Sequence, residues 1–155
     1  MNQNDASRAA LEFLTSKKTG VLSTLSKGDE PRARLVYFSS DDSFNIYFLT
    51  FANTRKAEDL KAHPKAAFTV ADEETPRTLQ IEGDAADITN SPVDDAIIET
   101  LFDRLQMNAK YYAPIARFDR SDVRFYRLTP TWVRFGNFTD GHSTSEVLFD
   151  VTPDT

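Results

Sequence analysis

Two arginines, and a short basic stretch about twenty residues after them, are the residues of this sequence best suited to chemistry. Arg32 and Arg34 lie in Arg32-Ala33-Arg34-Leu35-Val36-Tyr37-Phe38, which reads as a strand. Residues two apart on a strand share a face, so both guanidinium groups stand beside Val36. The second segment, Phe48-Leu49-Thr50-Phe51-Ala52-Asn53-Thr54-Arg55-Lys56-Ala57, reads as a strand running into a helix start. A first helical turn carries unpaired N–H groups and the positive end of the dipole, where acidic residues are normally preferred. Here Arg55 and Lys56 stand in that turn, an arrangement an anion would compensate. A phosphate would satisfy the amides and both charges, and a guanidinium can grip it with two parallel hydrogen bonds. The chemistry implied is the holding of a phosphate-bearing ligand, with no protein nucleophile required. The plainer alternatives are solvent-facing cations on an edge and a solvated, frayed helix start.

Other candidates carry less. Thr78, Gln80 and Glu82 share a face of a later strand. The Gln80 amide, beside Thr50, could read the polar edge of a heterocycle, or it is an ordinary satisfied strand polar group. Trp132 begins a strand after Pro130 and is a core, interface or ligand-stacking residue. His63 precedes Pro64 at a helix end, where it could cap carbonyls. His142 sits in a glycine-containing turn, and the two histidines share no metal-like spacing. No HExxH, DxDxDG, GxSxG, GxxxxGK or GxGxxG pattern occurs.

The elements that must position these residues read as follows. Residues 6–17 form a short amphipathic helix capped by Asp5 or Ser7 and ended by Gly20. Val21 to Leu25 and Arg32 to Phe38 form a hairpin. Phe44 to Thr50 follows, apolar on both faces, so it is covered on both sides by a barrel interior plus either a helix or a partner subunit. Asn53 or Thr54 caps a helix to about Ala62, ended by His63-Pro64. Lys65 to Ala71 and Arg77 to Ile88 are strands, the latter interrupted at Gly83 by a bulge, bend or close backbone approach. Ser91 caps a helix over 92–106 with Pro92 in its first turn and a box-like Asp94. Its buried stripe is Ile97, Ile98, Leu101, Phe102 and Leu105. Residues 108–119 read as a loop or short helical piece around Tyr111-Tyr112. Val123 to Leu128 and Trp132 to Phe138 read as two strands separated by Thr129-Pro130-Thr131, with a last edge strand at 147–149. Short turns between most strands argue against parallel βαβ units. The expected fold is mainly β: one small, mostly antiparallel barrel of six or seven strands with flanking helices.

Composition narrows the function classes. A chain of 155 residues is one domain by default, large enough for a real core. The formal net charge of −6 argues against general nucleic-acid binding. There is no cysteine, which removes thiolate nucleophiles and Cys-ligated metals. No apolar run approaches the length of a membrane span, and Met1-Asn2-Gln3-Asn4-Asp5 has no leader-like pattern, so a cytoplasmic location is the expectation. The 12 phenylalanines point to an aromatic core, some of them to a flat ligand or a subunit interface.

Over roughly residues 8–138 the chain resembles the FMN-binding split-barrel proteins related to pyridoxamine 5′-phosphate oxidase, and within them the general stress protein 26-like branch. The likeness lies in the order and spacing of several pieces. These are Gly20-Val21-Leu22-Ser23-Thr24, Arg34-Leu35-Val36-Tyr37, Tyr47-Phe48-Leu49-Thr50, Thr54-Arg55-Lys56 with Leu60, His63-Pro64-Lys65-Ala66-Ala67, and Ile81-Glu82-Gly83-Asp84-Ala85. The resemblance implies a six-stranded antiparallel split β-barrel with flanking helices, a single domain over 1–155, and a homodimer with two FMN sites at its interface. It implies that Arg34, Thr54, Arg55 and Lys56 hold the FMN phosphate. Leu35, Val36, Tyr37, Leu49 and Thr50 would line the isoalloxazine ring. The glutamine that the oxidase supplies from its partner subunit falls at Thr78, with Gln80 two residues on as its substitute; Trp132 would cover the ring. The oxidase ends in an Arg-x-His pair for its substrate, whereas the matching stretch here is Thr144-Ser145-Glu146-Val147-Leu148, where Glu146 would repel a substrate phosphate. The expectation is therefore an FMN-dependent oxidoreductase of another small molecule, or a non-catalytic flavin-binding or sensor protein, with pyridoxamine phosphate oxidation disfavoured. Relatives of this fold also include flavin reductases, haem-utilising members and deazaflavin-dependent reductases.

Overall fold

A computed structural model describes residues 1–106 and 120–154 of the chain. Its elements in order are helix α1 (Gln3–Thr15), strands β1 (Thr19–Leu25), β2 (Pro31–Ser40) and β3 (Ile46–Phe51), and helix α2 (Arg55–Ala62). Then come β4 (Lys65–Asp72), β5 (Arg77–Asp87), α3 (Asp95–Gln106), β6 (Val123–Asn137), α4 (Thr144–Val147) and β7 (Leu148–Asp150). Every strand pairing is antiparallel. The order is β3-β2-β1-β4-β5-β6, and a β3–β6 pairing closes these six strands into a barrel, with β7 on the flank of β6. This is the split-barrel architecture.

Alternation built it. In β4 and β5 buried and exposed residues alternate along most of the strand, one face to the core and one outward. Phe13, Phe44, Phe48, Phe68, Phe125 and Phe135 are fully buried. Burying each such ring stabilises the fold by roughly 1.5–3 kcal/mol, so the phenylalanine excess serves chiefly the core.

Strand β3 is covered on both faces by its own chain. Ile46 and Phe48 enter the main barrel core. Tyr47 and Leu49 enter a second cluster with Ile98 and Leu101 of α3 and Val123 and Phe125 of β6. Of the two coverings expected for this strand, the helix is the one observed, and the strand itself no longer calls for a partner subunit.

Several boundaries moved, each for a local reason. Helix α1 starts earlier than expected because Asn2, not Asp5 or Ser7, is its cap, accepting from the Asp5 N–H at 2.9 Å. Gly20 does not end a segment; it lies inside β1, where a Cβ would come within 2.3 Å of the Phe68 ring. Phe44 belongs to the turn before β3, with a positive φ of 60°. Ser91 makes no side-chain cap bond, and Pro92–Asp94 is a 3-10 turn. Asp94 is instead drawn into an ion pair with Arg127 at 3.0 Å.

The largest difference is β6, one strand of 15 residues where two were expected. Its first part pairs with β3 and its later part with β5, so it passes from one side of the barrel to the other. The register shifts where Glu82 and Gly83 face Trp132 and Pro130. Proline is tolerated at such a bulge because no ladder N–H is demanded of it. Gly83 is the close approach expected: a Cβ there would lie 2.0 Å from the Thr129 carbonyl oxygen. The loop expected over 108–119 and the side chains of Phe102 and Leu105 lie outside the described residues.

Candidate functional site

Helix α2 lies across one end of the barrel, and the cationic residues gather beneath its first turn. On β2 the inward face carries Arg32, Arg34, Val36 and Phe38; the last two are core residues. The two arginines sit where that face leaves the core. Asp59 of α2, only 2% exposed, meets both. Its Oδ1 accepts from Arg32 Nη1 at 2.7 Å and its Oδ2 from Arg34 Nη2 at 3.2 Å. Thr24 of β1 donates to the same Oδ2 at 2.8 Å and accepts from Arg34 Nη1.

The start of α2 is organised by hydroxyls. Thr54 is the cap, with extended backbone, accepting from the Ala57 N–H at 3.4 Å. Its own hydrogen goes to the Phe51 carbonyl at 2.9 Å, so the buried Thr50, at 2.9 Å, donates to it. The Thr54 hydroxyl is therefore engaged within the chain. The Arg55 and Lys56 N–H groups, first and second in the helix, make no backbone bond among the described residues. Lys56 is half-buried. Burial, and after it the neighbouring Arg34 guanidinium, hold its ammonium below the usual lysine range. Among the described residues neither Arg55 nor Lys56 has a carboxylate within ion-pair distance. Arg32, Ala33, Arg34, Thr54, Arg55 and Lys56 line one open cleft of about 510 Å³.

The other nominated residues divide by face. Val36 is buried inward, and Leu49 and Tyr37 belong to the second cluster beneath α3. Leu35 points outward and is 65% exposed. Register aligns Leu35, Val21, Thr69, Gln80 and Arg134 in one row across five adjacent strands of the outer face. Thr78 lies on the same outer face, opposite Gly136. Trp132, half-buried, stands opposite Glu82 with the Arg134 guanidinium 4.8 Å from its ring centre. Thr78, Gln80 and Trp132 thus occupy the face opposite to that of Arg34, and β5 is separated from β2 by two strands. A single chain does not bring them to the cationic cleft.

Glu146 is turned onto the neighbouring backbone. Its Oε2 accepts from the His142 N–H at 2.9 Å and the Ser143 N–H at 3.0 Å, closing the start of α4, and these bonds hold its carboxyl below the usual range. The backbone of His63, not its ring, caps α2, donating to the Asp59 carbonyl at 2.8 Å. A smaller cavity of about 220 Å³ between β2, β3 and α3 is lined by Ser39, Ser40, Asp41, Tyr47, Ala96, Ile97 and Thr100. It holds no cation. Tyr47 donates to Asp41 at 2.9 Å, and burial together with that carboxylate pushes its phenol up to about 12.

Sequence reading did not find Asp59. A signal existed: Lys56, Asp59, Leu60 and His63 recur at helical spacing, placing a carboxylate on the stripe that faces the barrel. Among the described residues no group of three acidic or histidine side chains could hold a metal, and no helix is long and apolar enough to cross a membrane.

Comparison with known proteins bears on the whole barrel. A family profile described as pyridoxamine 5′-phosphate oxidase matches residues 6–137. A pyridoxine/pyridoxamine 5′-phosphate oxidase of Thermosynechococcus vestitus is 36% identical over 73 residues, 47% of this chain, and the match spans 35% of that oxidase. Among solved structures, a protein related to general stress protein 26 from Clostridium acetobutylicum superposes with a TM-score of 0.69 at 18% identity, covering 97% of both chains. A FAD-binding protein from Mesorhizobium loti gives a TM-score of 0.68 at 14% identity, over 83% of this chain and 91% of that one. Such low identities speak for a shared fold alone. The profile, which runs from α1 to the end of β6 and takes in the whole cationic cleft, is what decides kinship: this chain belongs to the pyridoxamine 5′-phosphate oxidase family.

Proposed function

We propose that the chain binds FMN through its phosphate, in the cleft between β2 and the start of α2, and acts as a flavin-dependent oxidoreductase on a small molecule. The observation that carries this reading is Lys56: a half-buried cation, beside Arg34, with no carboxylate partner among the described residues. Two like charges crowded at a helix start that already carries positive dipole are stable together when an anion joins them. Arg34, Arg55, Lys56 and the free N–H groups would hold the phosphate. Thr54 and Thr50 would hold the helix start in place. Exposed Leu35 would flank the ring, while Val36, Tyr37 and Leu49, packed in the two cores, would support the strands that shape its site. When bound, the flavin supplies the electron transfer, and the protein's part is to bind, orient and shield it.

The ring site would be completed by a second copy. The outer row that includes exposed Leu35 and Val21 also carries Gln80, with Thr78 and Trp132 on the same face. A two-fold partner laid on this face would bring its own Gln80, Thr78 or Trp132 toward the cleft that one chain leaves incomplete. Pyridoxamine phosphate itself is a poor candidate substrate. The cavity between β2, β3 and α3 is lined by hydroxyls, Asp41, Ala96 and Ile97, and the described residues put no cation there for a second phosphate.

The test is a visible-spectrum titration of the purified chain with FMN, FAD and riboflavin. FMN is expected to bind in the micromolar range or tighter, ahead of both others; no preference for FMN over riboflavin would sink the phosphate site. Light scattering of the FMN-bound protein should give twice the 17.5 kDa chain mass, and a 17.5 kDa particle would reject the dimer. Anaerobic mixing with NADH or NADPH then separates a reductase, which bleaches near 450 nm, from a flavin-binding protein that does not turn over.

A further inference from the structure

Beneath the phosphate cleft lies a carboxylate that ought to weaken it. Asp59 is buried directly under Arg32 and Arg34. By charge alone it cancels one of the two guanidinium groups and repels any anion that enters. Its geometry says something else. Its two oxygens are split between the arginines, Oδ1 to Arg32 and Oδ2 to Arg34, and Thr24 braces both Oδ2 and Arg34 Nη1.

A guanidinium has five N–H donors. Arg34 directs Nη1 to Thr24 and to the Arg32 carbonyl, and Nη2 to Asp59. Nε and the second Nη2 hydrogen remain without partners among the described residues. That pair forms one edge of the planar group, the fork that matches two phosphate oxygens. Arg34 lines the open cleft together with Lys56 and Arg55. Arg32 shares the carboxylate, so Asp59 does not neutralise Arg34 alone, and Arg32 also has the exposed Glu30 at 4.0 Å. Its Nε is sunk without a partner, as suits a brace more than a ligand.

We propose that Asp59 is a positioning residue for the phosphate, clamping Arg34 so that its Nε–Nη2 edge is held ready toward the cleft. The inference rests on the phosphate reading of that cleft. A flexible arginine must give up rotamer freedom when it grips a ligand; one already fixed by Asp59 and Thr24 does not, and its fork is aimed before the ligand arrives. The clamp trades attraction at a distance for direction at contact. It favours a terminal phosphate that can present two oxygens to one edge over a generic anion.

Charge and positioning predict opposite outcomes for Asp59→Asn, which removes the negative charge and loosens the clamp. The experiment is calorimetric measurement of FMN and riboflavin affinity on the full chain, the ratio of the two dissociation constants reporting the phosphate's share. In the wild-type protein FMN is expected to bind tighter; equal affinities would overturn the phosphate reading and this inference with it. Given that preference, positioning predicts that Asp59→Asn lowers the ratio about tenfold, the scale of one charge-assisted hydrogen bond, with riboflavin affinity unchanged. A ratio that holds or rises would overturn the positioning role and leave the phosphate site standing. Thr24→Val, close in shape and unchanged in charge, covers the case in which Asp59→Asn does not fold. It should lower the ratio about threefold, and no change there would equally overturn the proposal.

Discussion

Two helix starts in this molecule handle the same problem in opposite ways. At α4 the chain supplies its own anion: the Glu146 carboxylate accepts the His142 and Ser143 N–H groups, and its acid is strengthened in doing so. At α2 the cap hydroxyl of Thr54 satisfies the Ala57 N–H, while the two positions after the cap are Arg55 and Lys56. Lys56 has its charge disfavoured by burial and by Arg34, where a cation paired with an acid would have it favoured. One helix start is closed by a carboxylate of the chain; at the other, the first two N–H groups have no such partner among the described residues. Free N–H groups, dipole and the two cations coincide at α2, with the exposed Glu58 as the only acid in its first turn, and on the proposed reading that difference is a binding feature.

The comparison can be broken most sharply at Lys56. Lys56→Glu should cost FMN affinity about 100-fold or more, since it removes an attraction and adds a repulsion at contact distance. Riboflavin binding should hardly change. Fluorescence-quenching titrations measure both, and equal losses for the two ligands would mean that the side chain supports the fold and not the phosphate.

A smaller effect follows from the direction of the Lys56 shift. A lysine whose folded pKa is lowered costs stability in full below the folded value, and the cost shrinks as pH rises past that value and is gone above the unfolded one. Lys56→Met should therefore raise the melting temperature of the flavin-free protein at pH 7, by about 1–3 °C, and the gain should shrink in alkali. On the proposed reading FMN binding needs the charged form, so wild-type affinity should fall with rising pH earlier than an ordinary lysine would dictate. Lys56→Arg should abolish that early fall. Melting curves and titrations between pH 7 and pH 10 test both statements.

The smallest effect belongs to the closed helix start. Glu146→Gln should lower the melting temperature slightly at pH 7. Glu146 has a folded pKa below its unfolded one, so its contribution is complete above the unfolded value and lost as pH falls through the folded value. Wild type and variant should converge in strong acid. FMN affinity should be untouched, because α4 lies away from the cleft.

What was legible in the sequence was the local part of each structure. Alternation and turn residues give the barrel strands, and Thr54-Arg55-Lys56 announces the unusual helix start, because both signals sit within a few residues. What escaped depends on partners far along the chain. Asp59 drew no reading from the sequence, since its partners Arg32 and Arg34 lie on β2, 25 to 27 residues earlier. Asp94 looks like a capping residue until Arg127, 33 residues later, claims it. Pro130 looks like a strand breaker because its tolerance comes from Gly83 on the neighbouring strand. The apolar β3 could be assigned a helix or a subunit as cover, and only the docking of α3 chooses.

The pairing that closes the barrel also sets when the molecule becomes safe. It joins Ile46–Phe51 to the stretch from Val123 to Leu128 in neither a hairpin nor a short crossover, with Phe48 and Tyr126 stacked across the seam at 5.4 Å. Contacts so distant in sequence are slow to form, since loop-closure entropy must be overcome before they give anything back. Until β6 arrives, β3 presents an unpaired backbone edge with apolar side chains on both faces, the kind of edge that recruits other chains. A growing polypeptide of this protein therefore carries its aggregation hazard from the moment β3 emerges until roughly seventy residues later, when its last barrel strand seals it.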